Sequence, residues 1–211
     1  MVFSFLKIIL TLIPFLLFSD QLKAEQVRLL ILGDSLSAAY GMKQEQGWVT
    51  LLQDALKPED ITVINAAVSG ETTDGGLARL PRLLDQHQPS HMLIELGGND
   101  GLRGYPVSKL KANISAMITM AEKRDIDVIL QQMQIPTNFG RRYNQMFTQS
   151  YQTLAEQHDV PLIPFFLKDI ALDDKMMQKD RIHPSVEAQP FIARYMQKQL
   201  MPYLSHEEIS Q

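Results

Sequence analysis

The chain contains no cysteine. That absence excludes a cysteine nucleophile, a zinc–thiolate centre, a disulfide framework and a lipid attached through an N-terminal cysteine. Charge of neither sign is in marked excess. The net charge is −4 over 211 residues, so nothing draws the chain to nucleic acid or to an anionic membrane. Internal repeats and tracts of low complexity are also missing. Long apolar runs are confined to the N-terminus, where the 11 residues Ile8–Phe18 are apolar apart from Thr11 and Pro14. Lys7 precedes this run and Ser19-Asp20-Gln21-Leu22-Lys23-Ala24 follows it. A basic residue, a short apolar stretch and a small residue at a cut site are the parts of a secretory signal. The run is too short for a membrane span. The expectation is therefore a signal peptide over residues 1–24, cut after Ala24, although Leu22 fits its place less well than a small residue would. Residues 25–211 then form one domain that is periplasmic or secreted and not stably inserted in a membrane. Losing Lys7, Asp20 and Lys23 takes its net charge to −5.

What remains is ordinary in bulk and informative in detail. At 45% hydrophobic and 21% charged residues, it is a globular chain long enough for a sizeable core. Val27 and Arg28 lead into Leu29-Leu30-Ile31-Leu32, a continuous apolar run of the kind buried on both faces of a parallel sheet. Trp48–Leu56 has helical spacing. Thr62–Ala67 reads as a second strand, followed by a helix capped by Thr72 or Thr73 and carrying Pro81. His91–Leu96 is a third strand, and Leu110, Ile114, Met117, Ile118 and Ala121 mark the next helix. Asp127–Leu130 begins a fourth strand, and Tyr143–His158 reads as a helix. Val160–Pro164 is a short edge strand, because its prolines cannot donate to a ladder. A last helix ends near Tyr203. This alternation predicts an α/β protein with a doubly wound parallel sheet and helices on both faces. By analogy with flavodoxin-like folds, five strands suggest the order 2-1-3-4-5.

The first three strands end in small polar loops: Gly33-Asp34-Ser35, Ser69-Gly70-Glu71 and Gly97-Gly98-Asn99-Asp100. In a parallel sheet these ends lie together, where ligands bind. Gly33-Asp34-Ser35 alone suits an ordinary turn as well as a nucleophile. Acyl transfer needs a nucleophile, a base and donors aimed at a developing oxyanion. Ser35 is a candidate for the first. The N–H groups of Ser35 and Gly70 and the amide of Asn99 are candidates for the donors. Among five histidines, His87 and His158 lie near helix ends, His91 starts a strand at the wrong edge, and His206 is in the polar tail. His183 differs, for it precedes Pro184 in a loop before the last helix. Asp180, three residues earlier, can accept from its Nδ1–H and leave Nε2 to take the serine proton. The same spacing also suits a plain turn.

Gly33-Asp34-Ser35-Leu36, Gly70, Gly97-x-Asn99-Asp100 and Asp180-x-x-His183 together resemble the four blocks of the SGNH (GDSL) hydrolases. Asn65–Thr73, Gly75–Pro81, Glu95–Gly104 and Gly140–Asn144 are similar to the subgroup of bacterial periplasmic arylesterases, acyl-CoA thioesterases and lysophospholipases. The resemblance spans about residues 27–204. It implies a flavodoxin-like α/β/α fold and hydrolysis of esters and thioesters through an acyl-serine. Ser35 is then nucleophile, His183 base, and Asp180 its orienting partner, with Ser35, Gly70 and Asn99 around the oxyanion. Neither metal nor cofactor is implied. One departure stands out: Arg181 occupies a place where glycine is usual, beside Asp180, whose carboxylate a cation could engage.

Leu102, Tyr105 and Phe139, on the loops Gly101–Pro106 and Pro136–Tyr143, are candidates to line an acyl groove or simply to pack those loops. A small acyl ester or thioester is the expected partner, and the chain is expected to act as a monomer. Three other readings stand beside this one. A short-chain acetylesterase would use the same scaffold. A metallophosphoesterase would need Asp-x-His and Gly-His-x-His ligand pairs that the chain lacks. A non-catalytic acyl-binding protein would have no use for the filled catalytic positions. Asp34 is expected to brace its loop through hydrogen bonds.

Overall fold

The computed structural model describes residues 26–205. The expected signal peptide and His206 lie outside them. Five strands form one wholly parallel sheet: β1 (Arg28–Gly33), β2 (Thr62–Asn65), β3 (His91–Glu95), β4 (Asp127–Gln131) and β5 (Leu162–Ile163). Their order is β2-β1-β3-β4-β5, as the fold analogy predicts. β1 is central. Leu30 pairs with Ile64 on one side and Met92 on the other, and Leu29–Leu32 are fully buried. β5 has two residues and pairs with β4 alone, the edge its prolines dictate.

Six α-helices flank the sheet: α1 (Trp48–Leu56), α2 (Thr73–His87), α3 (Gly98–Leu102), α4 (Val107–Glu122), α5 (Arg141–His158) and α6 (Gln189–Leu204). α1 packs on α6, while α2 packs on α4 and α4 on α5. Trp48, fully buried, joins the first pair to the turn after β1. Its N–H donates to Gln189 Oε1 at 2.9 Å and its indole N–H to Leu36 O at 3.0 Å. Thr72 is the residue that caps α2, accepting from Gly75 N–H. Thr73 turns inward, and its hydroxyl and N–H both donate to the buried carboxylate of Asp100, at 2.6 and 2.9 Å. That joint locks the start of α2 to α3. α3 itself replaces part of an expected loop, beginning at the second glycine of the Gly97-Gly98 pair.

The strand order reverses between β1 and β3, because the first crossover runs to one edge and the later ones to the other. Their carboxyl ends therefore flank the topological switch point, where such sheets open a crevice. Ser35 follows β1 and Asn99 follows β3.

Candidate active site

Ser35 sits in a tight turn closed by Asp34 O, which accepts from Ser37 N–H and Ala38 N–H at 3.2 and 3.0 Å. Across the crevice, the loop carrying His183 is braced as a miniature antiparallel pair, Met177 against Pro184. Gln178 is its tie. Its N–H donates to His183 O at 2.8 Å, and its side-chain amide donates to Tyr40 O and Pro184 O at 2.9 and 3.1 Å. Within this frame His183 Nε2 lies 2.9 Å from Ser35 Oγ, and His183 Nδ1 lies 2.7 Å from Asp180 Oδ2.

The charge on Asp180 settles the tautomer. Burial raises this carboxyl, but donors outweigh it: the N–H of His183, the ring of His183 and the N–H of Ile182 together hold it below the ordinary range. Asp180 is then an ionised, acceptor-only group. Nδ1 must carry a hydrogen to meet it, and Nε2 is left as acceptor for the Ser35 hydroxyl. Tyr40 covers the ring, with centroids 4.2 Å apart.

Arg181 does not engage Asp180. Both Asp180 oxygens are taken by Ile182 and His183, and the guanidinium pairs instead with Asp174 Oδ1 at 3.1 Å on the exposed surface. Its backbone lies in the left-handed region, φ 56°, which suits glycine. The competition expected from a cation beside Asp180 is thus absent.

The donors divide. Asn99 gives one amide N–H to Asp34 Oδ2 at 3.1 Å, which leaves the second for a ligand. Gly70, at φ 79°, is pinned through its carbonyl by Arg103 Nη2 at 3.1 Å. It stands in the loop after β2 and is not among the residues lining the cavity beside Ser35. That cavity, about 320 Å³, contains Ser35, Asn99 and His183. Its apolar wall is Leu102 with Met133, Ile135, Phe165, Leu167 and Met177. Of the three groove candidates only Leu102 lines it. Tyr105 offers its carbonyl to Tyr143 Oη–H at 2.7 Å, and the Phe139 ring lies 6.5 Å from that of Tyr143. The Phe139 ring thus sits beside Tyr143 of α5, and Tyr105 is tied to that residue through its backbone carbonyl. Among the described residues no group of three or more His, Asp or Glu is placed to hold a metal ion.

The description "GDSL-like lipase/acylhydrolase family" fits residues 31–189. The chain belongs to that family. It is 46% identical to an arylesterase of Vibrio mimicus over 198 residues, covering 93% of this chain and 98% of that one. It is 47% identical to the thioesterase 1/protease 1/lysophospholipase L1 of Escherichia coli K12, covering 85% and 86%. Its fold matches the psychrotrophic esterase EstA of Pseudoalteromonas sp., solved inhibited by monoethylphosphonate. That match has a TM-score of 0.82 and 47% identity, and it covers 84% of this chain and 98% of that one.

Beneath these family motifs lie Asp34, which braces its loop as expected by accepting from Leu36 N–H and Asn99, and groups to which the motifs gave no role. Glu95, the last residue of β3, is fully buried and accepts from Ser37 Oγ–H at 2.6 Å and from Asp34 N–H at 3.2 Å. Asp34, nearly as buried, is pushed up to about 6 by that burial, against the pull of Leu36 N–H and the charge of His183. The signal in the sequence was a glutamate ending an apolar strand, a place where an unpaired charge costs most. Tyr40 and Gln178 carried no such signal.

Proposed function

We propose that this chain hydrolyses carboxylic esters and thioesters through an acyl-serine intermediate. The observation that carries the reading is the unbroken line from Asp180 through His183 to Ser35, at 2.7 and 2.9 Å. Ser35 Oγ attacks the acyl carbonyl as His183 Nε2 takes its proton, and ionised Asp180 stabilises the imidazolium that forms. Negative charge develops on the carbonyl oxygen, where Asn99 Nδ2–H and the N–H groups of Ser35 and Gly70 stabilise it. His183 then protonates the departing alcohol or thiol, and water repeats the cycle on the acyl-serine. Every step uses groups of the chain itself.

The apolar wall of the cavity suits the acyl side of the substrate. Its volume, about 320 Å³, is at the low end for small-molecule sites, roughly 300–1,000 Å³. It fits an acyl chain, with the alcohol or thiol left towards solvent. An aryl ester, an acyl-CoA and a lysophospholipid all present such a group. Ser35→Ala is expected to lower kcat by several orders of magnitude with an unchanged circular dichroism spectrum. Near wild-type turnover by that variant would remove Ser35 from the role. Rates across p-nitrophenyl esters should rise from acetyl to octanoyl. A steep preference for acetyl would make the chain a short-chain acetylesterase.

Residues 1–24 read as an export signal, so we propose a periplasmic or secreted working enzyme, and separately that it acts as a monomer. Among the described residues no helix is long and apolar enough to cross a membrane. Intact mass and light scattering of the exported protein check the cut and the monomer together.

A further inference from the structure

Two carboxyl groups lie side by side beneath the crevice. Glu95 and Gly33 are opposite each other in the β3–β1 register, and the Glu95 side chain reaches under the Ser35 turn. Its Oε2 is saturated by Ser37 Oγ–H and Asp34 N–H. Its Oε1 is buried and has no donor. Asp34 is supplied at both oxygens, Oδ1 by Leu36 N–H at 3.0 Å and Oδ2 by Asn99 Nδ2–H at 3.1 Å. The Glu95 carboxyl is held 3.2 Å from the Asp34 backbone N, and each carboxyl acts electrically on the other. If both were ionised, two anions would face each other in a buried site, and neither could donate.

One proton resolves both anomalies. Placed on Glu95 Oε1, it turns an orphaned acceptor into a donor towards Asp34. The charge then rests on the carboxyl that already receives N–H groups at both oxygens and faces His183. We propose that Glu95 is a carboxylic acid that donates to Asp34, and that the pair is a positioning device for the Asn99 amide. The role of the pair rests on the reading of Asn99 as an oxyanion donor. An ionised Asp34 accepts only, so the Asn99 amide cannot flip and bring its own oxygen against it. The second N–H of Asn99 is thereby aimed into the crevice before substrate arrives, which is the preorganisation that such donors need.

Two motif glycines give the pair its space. A Cβ at Gly33 would come within 2.6 Å of Glu95 Oε2, and one at Gly98 within 3.1 Å of Asp34 Oδ2. Burial, and then the charge of Asp34, raise the Glu95 carboxyl well above its ordinary value, which agrees with the geometry.

The infrared difference spectrum between wild type and Glu95→Gln at neutral pH reads the proton without reference to activity. A carbonyl band of a protonated carboxylic acid, lost in the variant, is expected. Its absence overturns the assignment. In kinetics, Glu95→Leu should lower kcat by about 10²-fold with little change in KM, the scale of one lost oxyanion donor. Glu95→Gln, whose amide N–H replaces the acid O–H, should rescue it. Asp34→Asn sets one amide N–H against another and should lose kcat similarly, but combined with Asn99→Ala it should cost little beyond Asn99→Ala alone. Losses that multiply would show that Asp34 does not act through Asn99. A wild-type protein that shows the infrared band but leaves Ser35 unlabelled by a fluorophosphonate would defeat the catalytic reading and not the proton on Glu95.

Discussion

Single residues carry most of the chemistry, and two of them carry predictions of their own. The folded Glu95 carboxyl is raised, by burial first and by Asp34 second. Below the ordinary carboxyl value, near 4.5, folded and unfolded chains are both protonated and the group costs nothing. As pH rises past that value the unfolded chain ionises and the folded one does not, so the folded state binds more protons and loses stability. Glu95→Gln has no such proton. Its melting temperature relative to wild type should therefore climb as pH rises from about 4.5 to neutrality. A constant difference would contradict this. Tyr151 and His183 lie within electrical reach of the pair and are common to both proteins, and in Glu95→Gln an amide N–H takes the place of the acid O–H towards Asp34. Arg181 offers a second case. Its left-handed backbone costs roughly 1–2 kcal/mol, against an exposed pair with Asp174 worth little. Arg181→Gly is expected to raise the denaturation midpoint by up to about 1 kcal/mol of stability once glycine's extra chain entropy is deducted. A lower midpoint would assign the Asp174 pair a larger share.

At the scale of elements, the strands were legible and the short helix was not. β1 and β3 announce themselves because both faces are buried, which demands continuous apolar runs. α3 starts with glycine and has five residues. Neither periodicity nor propensity marks so short a piece, and it forms because Asp100 is tied to Thr73 across the joint with α2. The catalytic spacing in Asp180-x-x-His183 was visible because both partners share one loop. Glu95 and Asp34 are partners 61 residues apart, and only the β3–β1 register brings them together. The rest of the cavity wall is hidden in the sequence for the same reason. Tyr105 and Phe139 lie near the crevice in sequence terms, yet Phe165, Leu167 and Met177 reach it from the C-terminal loop. α1 adds a testable link between packing and site. Trp48→Ala should cost about 3–5 kcal/mol, seen as a lower denaturant midpoint at unchanged slope. It also removes the donor to Leu36 O, the residue after Ser35. A loss below about 1 kcal/mol would mean that the α1–α6 layer collapses to fill the void.

Across the whole molecule, the doubly wound sheet brings a serine, a histidine and an amide to one switch point from three distant parts of the chain. In the mechanism proposed above, the buried pair keeps one negative charge near the histidine that becomes positive. Acylation of Ser35, made reactive by His183, is read directly by peptide mass mapping after reaction with a fluorophosphonate. One adduct is expected on the peptide carrying Ser35 in the wild type, a much slower one in His183→Ala, and none in Ser35→Ala. An unmodified Ser35 in active enzyme, or an adduct on another residue with activity lost in step, would contradict it.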